Sequence, residues 1–106
     1  MAIEEITVDE LESALASGAR LIDVREADEF EEFRVPGAVH VPLRTVADQL
    51  EAFAGDGPTY VICLSGGRSM RACEFVADAS GQHVINVAGG SRAWAESGRP
   101  VETGAS

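Results

Sequence analysis

At 106 residues the chain is expected to fold as one domain, residues 1–106, long enough to bury a core without disulfide staples. Eight arginines, no lysine and eighteen acids give a formal charge of −10, a field that disfavours nucleic acid and anionic membrane surfaces as partners. No apolar run approaches the ~20 residues of a membrane helix, the acidic N-terminus lacks a signal-like apolar stretch, and two cysteines fit a reducing compartment, so a soluble cytoplasmic protein is expected.

Thr7-Val8-Asp9-Glu10 reads as a capping box, with Ile6 and Leu11 placed to staple across it. The helix it starts should end at Ser17-Gly18. Leu21 to Val24 is the next strand. A short helix from Ala27 to Phe33 leads to a turn at Val35-Pro36-Gly37, and Ala38 to Val41 form a strand stopped by Pro42. Thr45 and Asp48 suggest another helix start, with Val46, Leu50 and Phe53 on its apolar face. Gly55-Asp56-Gly57-Pro58 is the sharpest break, but it is a turn and not a domain linker. Thr59 to Cys63 is β-rich, apolar and too brief for a helix, as a strand buried on both faces should be. From Arg68 the spacing turns helical, with Cys73, Val76 and Ala77 along one side and Ser80-Gly81 closing the element. Val84 to Val87 form the last strand. Gly89-Gly90 open a final helix carrying Trp94, which Gly98 and Pro100 end. Strands alternating with helices imply parallel pairing, right-handed crossovers and helices on both faces of the sheet.

The chemistry concentrates where the strand ending at Cys63 passes through Leu64-Ser65-Gly66-Gly67 into the helix beginning near Arg68 and Ser69. In an open parallel α/β sheet that position lies at the ligand crevice. Loop amides and a helix N-terminus converge there and favour negative charge. A thiol in that volume ionises more easily, and the thiolate is the nucleophile. Gly66 and Gly67 allow the tight turn and a close backbone approach to a ligand. Ser65 and Ser69 offer hydroxyl donors, although Ser69 also suits a helix cap.

The pattern Cys-x-x-Gly-x-Arg-Ser at Cys63, Gly66, Arg68 and Ser69 resembles the active-site loop of the rhodanese (sulfurtransferase) family. The likeness continues through Asp23-Val24-Arg25-Glu26 with Phe30, Pro36-Gly37-Ala38 with Pro42, and Gly89-Gly90, Ala93-Trp94, Gly98 and Pro100-Val101. It runs from about Ile6 to Val101, and the order and spacing of the motifs make it specific. One departure is visible: the family usually has Gly-His before its Ile-Pro-Gly-Ala segment, and Phe33-Arg34 stand there before Val35-Pro36. The resemblance implies a three-layer α/β/α domain with five parallel strands in the order 3-2-4-5-1, the first short and near Ile3 to Ile6. It also implies that Cys63 carries a persulfide.

Arg68 either binds the donor's oxygens or locks the loop by pairing with a neighbouring acid. Asp23 and Arg25 close the adjacent strand and are candidates for the substrate-binding set with Leu64, Ser65, Gly66, Gly67 and Ser69. Arg25, Arg44, Arg68 and Arg92 each follow a strand end closely and should ring the mouth around Cys63, where they could attract a small anion. Cys73 sits at core spacing and is expected to be inert. His40 and His83 have no metal-site company, and Trp94 reads as core.

The expected activity is ping-pong sulfur transfer from an anionic donor such as thiosulfate, through Cys63, to cyanide or a thiol acceptor, including a protein thiol. Neither a metal nor an organic cofactor is implied. Phosphatases and arsenate reductases share the architecture but resemble Cys-x5-Arg. Four residues separate Cys63 from Arg68, a cradle sized for one sulfur atom. A non-catalytic or sulfur-carrier module that binds a protein partner is the other alternative.

Overall fold

The computed structural model describes residues 2–104. Its central strand is β4, Thr59–Ile62. Successive strand side chains face opposite sides, so Val61 enters one apolar cluster and Ile62 another. Strand β2, Arg20–Asp23, pairs with β4 in the register Arg20↔Thr59 to Asp23↔Ile62. Strand β5, Val84–Val87, flanks β4 on the other side, with Val61 opposite Asn86. Short strands β3, Val39–His40, and β1, Glu4–Ile6, extend the two edges, and the pairings within this sheet are parallel. The order β1-β5-β4-β2-β3 is the expected one read from the opposite edge.

Helices cover both faces. On one lies α3, Gly67–Ser80, which packs Ala72, Cys73 and Val76 against Ile22, Val24, Val61 and Val84. On the other, α1, Val8–Ala16, and α4, Gly90–Glu96, bring Leu11 and Trp94 onto Leu21, Ile62 and Val87. The Thr7–Glu10 capping box forms as its sequence requires. The remaining helix, α2, Ala27–Glu32, buries no residue.

The helix expected around Thr45 differs. Leu43–Asp48 and Leu50–Phe53 are two 3-10 segments separated at Gln49. Thr45 Oγ1 donates to the Pro42 carbonyl at 2.8 Å and accepts from Gln49 Nε2 at 2.9 Å, local bonds that compete with a continuous α-helical ladder. Val46 and Phe53 still reach the core, so the apolar spacing survives the change of helix type. Among the described residues, no helix is long and apolar enough to cross a membrane.

Candidate active site

A parallel sheet delivers every strand C-terminus to one side, and Cys63 stands immediately beyond β4 on that side. The loop after it turns through Gly66, whose φ of +107° strains any residue with a side chain. The turn between β5 and α4 supports it from behind. A Cβ on Gly90 would stand 2.4 Å from the Cys63 carbonyl oxygen and 2.5 Å from that of Leu64, so the two backbones touch directly. The Ser91 amide donates to the Cys63 carbonyl at 2.8 Å, and the Arg92 amide to that of Leu64 at 3.0 Å. Because each trans peptide is planar, holding these carbonyls fixes the orientation of the following amides as well.

Within this loop the Gly66 amide donates to Cys63 Sγ at 3.1 Å and the Ser69 hydroxyl at 3.3 Å. Only 1% of Cys63 is exposed. Burial pushes its thiol up, but the Ser69 hydroxyl and the amides of Ser69, Gly66 and Ser65 pull it down and prevail, leaving it below the ordinary thiol value. Cys73 behaves oppositely. It is wholly buried on α3 and is pushed up to about 12, first by burial and then by the charges of Glu74, Cys63 and Glu5. The loop thus favours ionisation of one thiol, and burial keeps the other protonated.

Ser65, Gly66 and Ser69 face the Cys63 thiol and Leu64 and Gly67 complete the loop between them, whereas Arg68 turns to α2. Its Nη1 and Nη2 donate to Glu29 Oε1 and Oε2 at 2.7 and 2.9 Å. That bidentate grip holds the Glu29 carboxyl down to about 2 against its partial burial. Asp23 and Arg25 pair with one another at the end of β2. Arg25 Nε donates to both Asp23 oxygens at 3.1 Å, and its Nη2 donates to Asp23 Oδ2 at 2.9 Å and the Phe33 carbonyl at 2.6 Å. Both side chains have no exposed surface, so the pair braces the end of β2 and Arg25 leaves the expected arginine rim. Arg44 keeps a 70% exposed side chain beside Glu26, and Arg92 is exposed next to the loop.

Arg34, in the place of the family's usual histidine, is nearly buried. Its Nη1 donates to the carbonyls of Phe30 and Gly104, and its guanidinium lies over the Phe30 ring. It therefore ties the segment near Glu102 back onto the domain. His40 stacks on Phe30, with Nε2 2.7 Å from the Arg25 carbonyl oxygen, and His83 is exposed near Glu4. Trp94 is core, its Nε1 donating to the Pro100 carbonyl. No group of His, Cys, Asp or Glu among the described residues is placed to hold a metal ion. A broad depression lined by Ala14, Ser17, Arg20, Asp56, Pro58 and Tyr60 lies at the strand starts, on the side away from Cys63.

Two residues escaped the sequence reading. Glu29, the partner of Arg68, announces itself only through its spacing from Glu26, with which it forms a capping box. Asn86 is a polar residue inside the otherwise apolar run Val84-Ile85-Asn86-Val87, and a buried amide there demands partners.

Residues 7–97 match the family model of the rhodanese-like domain. The chain is 32% identical over 104 residues to a thiosulfate sulfurtransferase, GlpE, of Actinobacillus succinogenes, covering 97% of this chain and 94% of that one. It is 29% identical over 101 residues to a sulfurtransferase of Allochromatium vinosum, covering 93% and 94%. The crystal structure of a rhodanese-like domain protein from Staphylococcus aureus superposes with a TM-score of 0.84 at 32% identity, covering 95% of this chain and 98% of the other.

Proposed function

We propose a function from one premise: this chain belongs to the rhodanese-like domain family. Within it, the chain acts as a sulfurtransferase that works through Cys63. The Cys63 thiolate attacks the outer sulfur of an anionic donor such as thiosulfate. A bond forms between Sγ and that sulfur, the S–S bond of the donor breaks, and sulfite leaves with the electron pair. The persulfide is stabilised by the loop amides and the N-terminus of α3. A nucleophilic acceptor, cyanide in an assay or a thiol in a reducing cytoplasm, then attacks the terminal sulfur and returns Cys63 to its thiolate.

The observation that carries this reading is the pair of hydrogen bonds from Gly66 and Ser69 to Sγ, which favours an ionised thiol without a histidine base. Arg68 serves as a positioning residue, since Glu29 occupies its guanidinium. Asp23 and Arg25 support the loop's neighbour and do not contact the donor.

The competing reading is phosphatase or arsenate reductase chemistry, which needs a wider cradle than the four residues between Cys63 and Arg68 allow. Steady-state assays with thiosulfate and cyanide, beside assays with aryl phosphate and arsenate, separate the two. Thiosulfate should be turned over and the other two should stay at background. Phosphatase activity that disappears in Cys63→Ser would replace the sulfurtransferase reading.

A further inference from the structure

We infer that Asn86 is a positioning residue for the cradle around Cys63, and that Glu5 on β1 fixes Asn86 in turn; this deepens the sulfur-transfer reading and rests on it for its purpose. Asn86 lies on β5, wholly buried, directly across the ladder from Glu5. Its Nδ2 donates to Glu5 Oε2 at 2.8 Å and to the Gly66 carbonyl at 3.1 Å. Both partners are pure acceptors, so they use both amide hydrogens and leave one orientation of the side chain.

Its Oδ1 has no partner among the described residues. A buried acceptor left unpaired carries a free-energy penalty. An apolar β-branched residue at this strand position would avoid that penalty and suit the surrounding core. What Asn86 supplies that such a residue could not is the bond to Gly66.

Gly66 is where that bond matters. Its carbonyl accepts from Asn86 and from the Met70 amide at 3.2 Å, and its own amide is the donor to Cys63 Sγ. With φ at +107°, Gly66 holds a left-handed conformation and has no side chain to wedge it in place. The Cys63 and Leu64 carbonyls are pinned by donors from the α4 turn, and the Gly66 carbonyl by the Met70 amide of its own helix and by the Asn86 side chain of β5. Held at its carbonyl, Gly66 keeps the backbone conformation that aims its own amide at Sγ, while the anchors on the Cys63 and Leu64 carbonyls set the amides of Leu64 and Ser65.

The test is the pH profile of Cys63 alkylation by iodoacetamide in a Cys73→Ala background, read with thermal melting. It needs no sulfur donor. Asn86→Val is uncharged like Asn86, so it leaves unaltered the charges of Glu5, Glu29 and Arg68 and of the Asp23–Arg25 pair around the site. It should melt close to the parent. Its alkylation rate at pH 7 should fall about three- to tenfold, the range expected from one weakened hydrogen bond to a thiolate, and converge with the parent at high pH. An unchanged profile in the folded variant would overturn the inference.

Glu5→Gln and Glu5→Ala both remove the charge, but only Gln keeps an acceptor for Asn86. The midpoint for Ala should lie above that for Gln. If Asn86→Val does not fold, this exposed pair decides the question, and identical profiles would overturn the inference. A shifted profile in a protein that takes no sulfur from thiosulfate would uphold the role of Asn86 and remove the sulfur-transfer reading instead.

Discussion

Arg68 grips Glu29 with two hydrogen bonds across 39 residues of sequence, so the arginine that follows the cysteine loop is anchored to a different helix, α2. The loop is thereby clamped at its far end, while the α4 turn clamps it at its start.

The pair makes a pH-dependent contribution. Glu29 is held at about 2 against an ordinary value of 4.5, with the Arg68 hydrogen bond as the main lowering cause. A depressed carboxyl stabilises the fold above its ordinary value, and that stabilisation is lost as pH falls from 4.5 towards 2. Allowing for partial exposure, Glu29→Gln should cost about 1–2 kcal/mol at pH 7 in urea unfolding, and nothing once the native carboxyl is protonated. Glu29→Gln and Arg68→Gln should lower kcat/KM for thiosulfate to a similar degree. A far larger loss in Arg68→Gln, with KM raised, would make Arg68 a direct ligand of the donor.

Ser69 tests the hydroxyl contribution to Cys63 ionisation. Ser69→Ala removes the 3.3 Å bond to Sγ while leaving the helix amides in place. Losing a donor to the thiolate raises the thiol, so persulfide formation at pH 7 should slow about three- to tenfold, with stability changed by about 1 kcal/mol. The two enzymes should converge as pH rises past the higher midpoint. Parallel profiles offset at every pH would show that Ser69 acts on something other than ionisation.

Arg44 and Arg92 remain candidates for attracting the donor against a net charge of −10. Neutralising either to Gln should reduce the rate of persulfide formation per unit thiosulfate about two- to threefold at low salt. The loss should fade in high salt, because exposed charges are screened beyond roughly 10 Å at 0.1 M. Arg20 and Arg99 serve as controls. Arg20 binds the Ala54 and Gly57 carbonyls near the strand starts, and Arg99 pairs with Asp9 and Glu12 over the Trp94 ring. Equal, salt-independent effects at all four positions would remove the steering idea.

The β4–loop–α3 unit was legible because its signals are local: a short apolar run, paired glycines and a switch to helical spacing within one stretch of chain. The same holds for the Thr7 cap. The strand order came from the family resemblance, since alternating elements alone do not choose among parallel arrangements. The ionic partners were not legible. Arg25 and Arg68 follow strand ends in equivalent ways, yet one is consumed by Asp23 two residues away and the other by Glu29 on another helix. Partner choice depends on tertiary distances that spacing does not encode. The 3-10 segments escaped for a related reason, since Val46 and Phe53 satisfy the same core from either helix type.

The central claim is that Cys63, and not Cys73, carries the transferred sulfur. Intact mass before and after thiosulfate, on the native protein and on Cys63→Ser and Cys73→Ser, tests it most directly. The native protein and Cys73→Ser should each gain one sulfur atom that cyanide then removes. The second variant should be destabilised by about 1–3 kcal/mol for its buried hydroxyl. Cys63→Ser should fold and gain nothing, and a sulfur atom appearing on it would contradict the account.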